Sequence, residues 1–223
     1  MLIAKVTSNA GGFLLAGDSL DLNSLHESLH AVCPNEEEDS ANPDNLILQL
    51  AYEVRKAKDG QRETISVPCD WPRKGKSSYR GATLSFPRAI IQFAFLTRLM
   101  CRSRSISTAA KADIWAFGAA TISALEQLEI KNAERLLGSA VGSVLEWKGW
   151  PSHCLIDSID ITHLYRTKTR SRRIAGLKRL PTDLRERGPI AGGILLSSRK
   201  YAEEHGIPLD AVGVAWPEEM PVY

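Results

Sequence analysis

The sequence has no Cys-x-x-Cys pair, since its four cysteines stand singly at Cys33, Cys69, Cys101 and Cys154. A structural zinc ribbon requires such pairs, so this class of fold is excluded. Of the 223 residues, 43% are hydrophobic, which is enough apolar material for a core without disulfide bonds. The scattered cysteines therefore indicate reduced, mostly buried thiols in a cytoplasmic protein.

Long hydrophobic runs are absent as well. No stretch approaches the roughly 18 apolar residues that cross a bilayer. The most apolar stretch, residues 86–100, is interrupted by Pro87, Arg88 and Arg98. Near the N-terminus, the apolar run at residues 13–16 is too short for a signal peptide. We therefore expect a cytoplasmic protein that has no membrane partner.

Residues 1–150 show short strand patterns that alternate with amphipathic helix patterns, which predicts an α+β core domain. Residues 2–7 and 12–17 form one predicted strand pair, and residues 63–67 and 82–86 form another. The predicted helices in this region are at residues 20–32, 44–58, 86–100, 108–128 and 131–147. The fold class is thus two antiparallel strand pairs packed by a layer of helices.

Residues 151–223 are predicted to form a less regular, basic C-terminal extension with one strand and one helix. The alternation of Ile156, Ile159 and Ile161 predicts a strand over residues 155–165. Residues 167–188 are basic and poor in periodicity, and residues 189–205 have the pattern of a last helix.

Residues 1 to about 128 contain the short motifs Gly17-Asp18, Asp21-Leu22, Leu25, Leu29-His30, Tyr52-Glu53-Val54-Arg55, Gly60-Gln61-Arg62-Glu63 and Phe86-Pro87. In these motifs the chain resembles an uncharacterised bacterial family of small α+β domains. The resemblance implies no activity, because the family has none established. The family pattern includes a residue like His30 but not the His26-Glu27 pair, which implies that His30 belongs to the fold.

The predicted helix at residues 20–32 contains the one short chemical motif, a His-Glu-x-x-His at residues 26–30. His26 and His30 would share one helix face and could bind zinc, with Glu27 activating a water molecule. Glu53, on the next helix, is the candidate third ligand. We favour a structural or surface role for these residues and assign no catalytic residue, no metal and no cofactor. A zinc-dependent hydrolase that uses this motif is the alternative.

Glu53 also belongs to a charged cluster with Arg55, Arg62 and Glu63. The favoured interpretation is an ion-pair network that fixes the second helix to the following strand. The alternative is a pocket for an anion, which we consider weaker because charges at a helix end are usually solvated or paired.

The strongest partner signal is a charge imbalance at residues 166–187, where nine Lys and Arg residues face only Asp183 and Glu186. Residues 1–150, in contrast, contain 17 Lys and Arg against 17 Asp and Glu. Such a segment can contact the phosphates of nucleic acid, an acidic protein partner, or the acidic loop at residues 36–39. The candidate contact residues are Arg166, Lys168, Arg170, Arg172, Arg173, Lys178 and Arg179.

We call residues 166–187 the basic segment, and we expect so polar and aperiodic a stretch to bury little. The predicted function is a non-catalytic or accessory binding protein that contacts nucleic acid or an acidic protein partner through this segment. The sequence does not specify an oligomeric state or a biological process.

Overall fold

The computed structural model describes residues 1–33, 44–69, 75–103, 105–147 and 153–207. Within them, four strands and seven α-helices follow the chain, together with one π-helical turn at Thr162–Arg166. The strands are β1 (Ile3–Val6), β2 (Gly12–Gly17), β3 (Glu63–Cys69) and β4 (Gly75–Ser85). The α-helices are α1 (Ser19–Val32), α2 (Asp44–Lys58), α3 (Phe86–Arg102), α4 (Thr108–Gln127), α5 (Ala133–Leu145), α6 (His153–Ile161) and α7 (Arg170–His205).

The two predicted strand pairs join into one antiparallel sheet with the order β1-β2-β4-β3, and the α+β fold is confirmed. β2 pairs with β4 so that Phe13 lies opposite Leu84. A side chain at Gly12 could not fit there, because its Cβ would lie 2.1 Å from the carbonyl oxygen of Leu84. β4 begins at Gly75, whereas the second strand of this pair was predicted to begin at residue 82. Residues 75–81, expected to form a loop, are therefore strand.

The sheet edge at β1 is covered by α4. The side-chain amide of Gln127 accepts a hydrogen bond from the backbone N–H of Val6 at 3.1 Å and donates one to the carbonyl oxygen of Ala4 at 2.8 Å. These are the bonds that another strand would make, so Gln127 protects an edge that could otherwise pair with a second chain.

α1 forms as its sequence predicts. The Asp18 carboxylate accepts hydrogen bonds from the N–H groups of Leu20 and Asp21, and the Asp21 carboxylate accepts one from the N–H of Asp18. This reciprocal capping satisfies donors that the first turn leaves without partners. The apolar stripe behind the cap is buried and consists of Leu22, Leu25, Leu29 and Val32.

α3 is the central helix of the core and packs against α1, α2 and α4 to α7. It begins at a Ser85 cap with Pro87 in the first turn, where the missing N–H costs nothing. α4 approaches it closely at Gly118, where a Cβ would lie 2.3 Å from the Phe93 ring. Across the described part of the chain, no helix combines the length and the apolarity needed to span a membrane.

The strand predicted at residues 155–165 is wrong, because these residues lie in α6 and the π-helical turn. Leu155, Ile156 and Ile159 are buried on one side of α6, at the spacing of a helix face. The turn is closed by a hydrogen bond from the N–H of Thr167 to the carbonyl oxygen of Thr162, five residues earlier. The spacing of Ile156, Ile159 and Ile161 thus imitated the alternating pattern of a strand.

The irregular C-terminal region is also a wrong prediction, since the basic segment enters a 36-residue helix at Arg170. Leu177, Leu180 and Leu184 recur at helical spacing, and all three belong to the same hydrophobic core as α3. Pro181 lies inside this helix, and its carbonyl oxygen accepts a hydrogen bond from Ser143 Oγ of α5 at 2.9 Å. Tertiary packing therefore holds a helix that its proline would weaken.

Truncation of the α1 stripe should destabilise the fold. Leu25 and Leu29 are both fully buried, so we expect Leu25→Ala and Leu29→Ala each to lower the free energy of unfolding by about 2–5 kcal/mol. Urea unfolding followed by circular dichroism measures the change. The exposed Leu20→Ala is the control on the same helix and should have little effect. Equal small effects at all three positions would place another face of α1 inside.

Candidate functional site

The two histidines of the His-Glu-x-x-His motif lie side by side on α1. Their ring centroids are 4.6 Å apart and the rings are tilted by 60°. The Glu27 carboxylate accepts a hydrogen bond from the Asn23 side chain at 2.8 Å, and Asn23 in turn accepts one from Lys58 Nζ at 3.1 Å. The motif is therefore brought together, but its glutamate is part of a polar surface network.

The candidate third ligand, Glu53, is occupied elsewhere. Its two carboxylate oxygens accept hydrogen bonds from Arg62 Nε and Nη2 at 2.8 and 2.9 Å. No group of three or more His, Cys, Asp and Glu side chains in the described ranges could hold a metal ion. Burial lowers the pKa of His26, and the charges of nearby basic groups on α1 and α2 lower it further. Such positive surroundings oppose the binding of a cation.

The charged cluster around Glu53 matches the ion-pair interpretation in part. The bidentate Arg62–Glu53 pair fixes α2 to the residue that precedes β3. Arg55 instead lies over the Tyr52 ring, with its guanidinium carbon 5.3 Å from the ring centroid. Glu63 accepts a hydrogen bond from Thr83 Oγ1 on the neighbouring strand at 2.5 Å. The cluster thus comprises separate local contacts rather than one continuous ion-pair network.

Six of the seven candidate contact residues of the basic segment are exposed. Two precede α7 and four lie on its first turns, where a rigid helix presents them. The Arg179 side chain is 75% exposed and stands 3.8 Å from the Asp183 carboxylate one turn later. The exposed six are Arg166, Lys168, Arg170, Arg172, Lys178 and Arg179. The acidic loop at residues 36–39, a suggested internal partner, lies outside the described residues.

Arg173 is the exception, and the expectation that the basic segment buries little is wrong at this residue. Its side chain is only 2% exposed. The guanidinium donates hydrogen bonds to the carbonyl oxygens of Leu164 at 2.8 Å, Thr167 at 2.9 Å and Asn9 at 3.2 Å. Burial lowers its pKa. Arg173 therefore ties the π-helical turn to the β1–β2 loop and is not available to a partner.

Next to Arg173 lies a buried histidine that the sequence analysis missed. His163 Nε2 donates a hydrogen bond to the carbonyl oxygen of Ala10 at 3.0 Å. Burial lowers the pKa of His163 to about 4, although the bond to Ala10 and the Asp160 charge act in the opposite direction. The imidazole is therefore neutral near pH 7. No sequence signal could reveal this pairing, because 153 residues separate the partners.

Asp160 connects this region to the start of α3. Its carboxylate accepts hydrogen bonds from Ser85 Oγ and from Arg88 Nε, the latter at 2.8 Å. Arg88 also donates to Asp157 at 2.6 Å. Ser85, His163 and Asp160 do not form a catalytic triad, because the serine bonds to the aspartate and the histidine to a backbone carbonyl. These contacts are structural.

A basic groove of about 550 Å³ lies between the start of α5 and the face of α7 that adjoins it. Four cationic side chains line it, two from α7 and two from the start of α5 and the residues just before it, against the single carboxylate of Glu129. Arg185 belongs to the basic segment but was not among the candidate contact residues, and the two cations at the start of α5 were not predicted. We call this the α5–α7 groove, and its cations are Lys131, Arg135, Lys178 and Arg185.

Removal of the buried guanidinium should destabilise the fold. We expect Arg173→Ala to lower the free energy of unfolding by about 3 kcal/mol or more, because three carbonyl oxygens lose a charged donor. Arg172→Ala removes the exposed neighbour and should change it by less than about 0.5 kcal/mol. Urea denaturation of both variants makes the comparison. Similar small effects would show that the three carbonyl oxygens do not depend on Arg173.

Acid should destabilise the protein through His163. The unfolded chain binds a proton at this residue below about pH 6.5, whereas the folded protein does so only below about pH 4. The free energy of unfolding should therefore fall as the pH drops through this window, by up to about 3 kcal/mol. His163→Gln keeps a donor for Ala10 but has no imidazole to titrate. Its free energy of unfolding should therefore fall less over the same pH range. Urea titrations at pH 7, 5.5 and 4 on both proteins test it, and parallel pH profiles would contradict it.

The comparisons with known proteins give one match. The family model described as a domain of unknown function, DUF6904, matches residues 2–221. No curated protein and no solved structure matches the chain. The expected membership of an uncharacterised family is confirmed, and the matched region extends well past residue 128 into α6 and α7. The chain therefore belongs to the DUF6904 family.

Proposed function

We propose that the protein is a non-catalytic, accessory binding protein that contacts nucleic acid through the exposed cations of the basic segment. The observation that supports this most directly is the presentation of these cations on a helix. Arg172, Lys178 and Arg179 project from a surface whose opposite side is anchored in the core by Leu177 and Leu180. A fixed row of cations suits a fixed row of phosphates, because less side-chain and backbone freedom is lost on binding.

Nucleic acid is favoured over an acidic protein because the basic segment offers no apolar anchor. Protein interfaces usually centre on a few large apolar or aromatic side chains. Among the described residues, every large hydrophobic side chain that is exposed lies outside residues 166–186. Phosphate contacts need only cations and polar groups, and these make up the exposed surface here.

The proposed binding is independent of base sequence. Side chains that read bases include aromatic residues, which stack, and amides, which pair with base edges. Between Arg170 and Glu186, the exposed residues of α7 include no aromatic ring to stack on a base and no amide to pair with an adenine edge, so we assign its arginines and lysines to phosphates. Phosphate contacts alone give dissociation constants of roughly 10⁻⁴–10⁻⁶ M at physiological salt, with affinity falling as salt rises. The proposal places the protein in the cytoplasm, in contact with polynucleotides there.

Fluorescence anisotropy with unrelated DNA and RNA oligonucleotides across a salt series tests the proposal. We expect all sequences to bind alike, and Arg172→Ala/Lys178→Ala/Arg179→Ala to weaken binding and flatten the salt dependence. The matched control is Lys5→Ala/Lys111→Ala/Lys200→Ala, which removes the same charge from β1, α4 and the far end of α7. Its affinity should stay closer to that of the unmodified chain.

Two results would contradict the proposal. One is the absence of binding even at about 50 mM salt, where phosphate contacts are strongest. The other is binding to polyglutamate, used as a probe of an acidic protein, with no binding to either nucleic acid. The second result would redirect the basic segment to a protein partner.

A further inference from the structure

We infer that the backbone of the bound nucleic acid lies in the α5–α7 groove, where α5 supplies half of the phosphate contacts. This inference rests on the proposed function and makes it more specific. It adds Lys131 and Arg135 to the contact surface, and neither residue belongs to the basic segment. It also separates the cations of α7 into those that face the groove and those that point away from it.

The positions along the two helices support this arrangement. Lys178 and Arg185 are seven residues apart, so they lie on the same face of α7, about 10 Å apart along its axis. Lys131 lies just before α5, and Arg135 follows one turn later on the opposite wall. The groove therefore runs about 10 Å along α7, which is long enough for a short stretch of phosphate backbone.

Charge within the groove favours an anion. Four cations stand against one carboxylate, that of Glu129. The positive end of the α5 helix dipole opens at the same place, since Asn132 and Lys131 both line the groove. The two acidic residues of the basic segment, Asp183 and Glu186, do not line the groove. Because all four cations converge on one concave surface, their potentials add at the position of a bound phosphate.

Contacts between the two walls hold the groove in place. Ser143 Oγ of α5 donates a hydrogen bond to the carbonyl oxygen of Pro181 at 2.9 Å. Trp147 Nε1, just after α5, donates to the carbonyl oxygen of Leu184 at 3.1 Å. Both acceptors lie on α7 between Lys178 and Arg185 and so fix the spacing of the walls. The site therefore exists before the ligand arrives, which reduces the entropy lost on binding.

The outer cations of α7 provide the contrast. Arg172 and Arg179 are seven residues apart on the exposed ridge of the helix and do not line the α5–α7 groove. Arg172 instead borders a smaller cavity, beside His163 and Asp183. Arg172 and Arg179 contribute to the long-range field that attracts a polyanion, but both face away from the position inferred for the bound backbone. Equal losses of charge at the two places should therefore have unequal effects.

The decisive experiment compares two double variants with the same net charge. Lys131→Ala/Arg135→Ala removes the α5 wall of the groove, and Arg172→Ala/Arg179→Ala removes the outer ridge. Anisotropy with a single-stranded DNA and with a duplex is measured at about 50–200 mM salt. We expect the groove variant to bind at least about tenfold more weakly at 50 mM salt and to lose about two units of salt slope on the duplex. The ridge variant should lose much less of both.

Three outcomes separate the two proposals. Full binding by the groove variant, with loss in the ridge variant, would overturn the inference and leave the proposed function standing. Equal losses in both would show a diffuse electrostatic attraction, which also overturns the inference. No binding by the unmodified chain would remove both. All four side chains are exposed, so the variants should fold, and circular dichroism with thermal melting checks that they do.

Discussion

The anchoring of Arg173 is the interaction on which the C-terminal half of the structure depends. A guanidinium that is almost fully buried is costly unless its donors are satisfied, and here backbone carbonyls from the β1–β2 loop and the π-helical turn satisfy them. The hydrogen bond from His163 to Ala10 reinforces the same junction. The three carbonyl oxygens lie outside the β-strands and the α-helices, and Arg173 provides each of them with a charged donor. The junction therefore sets where α7 begins and which of its faces meets the core.

Once the start of α7 is fixed, its cations have fixed directions. Arg172 and Arg173 are adjacent in sequence, yet one is exposed and the other is enclosed. Lys178 and Arg185 then face α5, because the leucines between them must face α3 and the rest of the core. A count of charges along the chain cannot separate these roles. The roles depend on the direction in which each residue faces around the helix axis. That direction is determined by the burial of the leucines rather than by the charges themselves.

The sequence predicted those parts of the fold whose signals are local. The helices predicted at residues 20–32 and 86–100 are confirmed, because the cap at Asp18, the leucine stripe of α1 and the proline start of α3 each act within a few residues. The prediction for the C-terminal half was wrong for an identifiable reason. Pro181 and a high density of charge hid the leucine spacing of α7, and the three isoleucines of α6 imitated a strand. The α5–α7 groove could not be predicted, because Lys131 and Lys178 meet only after two helices pack.

The arrangement also relates stability to the proposed binding. The leucines of α7 belong to the main hydrophobic core, so the helix cannot detach without the loss of a large buried surface. The cations that line the α5–α7 groove therefore hold their positions whether or not a ligand is present. A disordered basic tail would have to lose its freedom each time it bound a polyanion, and this helix lost that freedom on folding. The buried arginine thus acts in folding, whereas the exposed cations are free of that task and serve the proposed recognition of a polyanion.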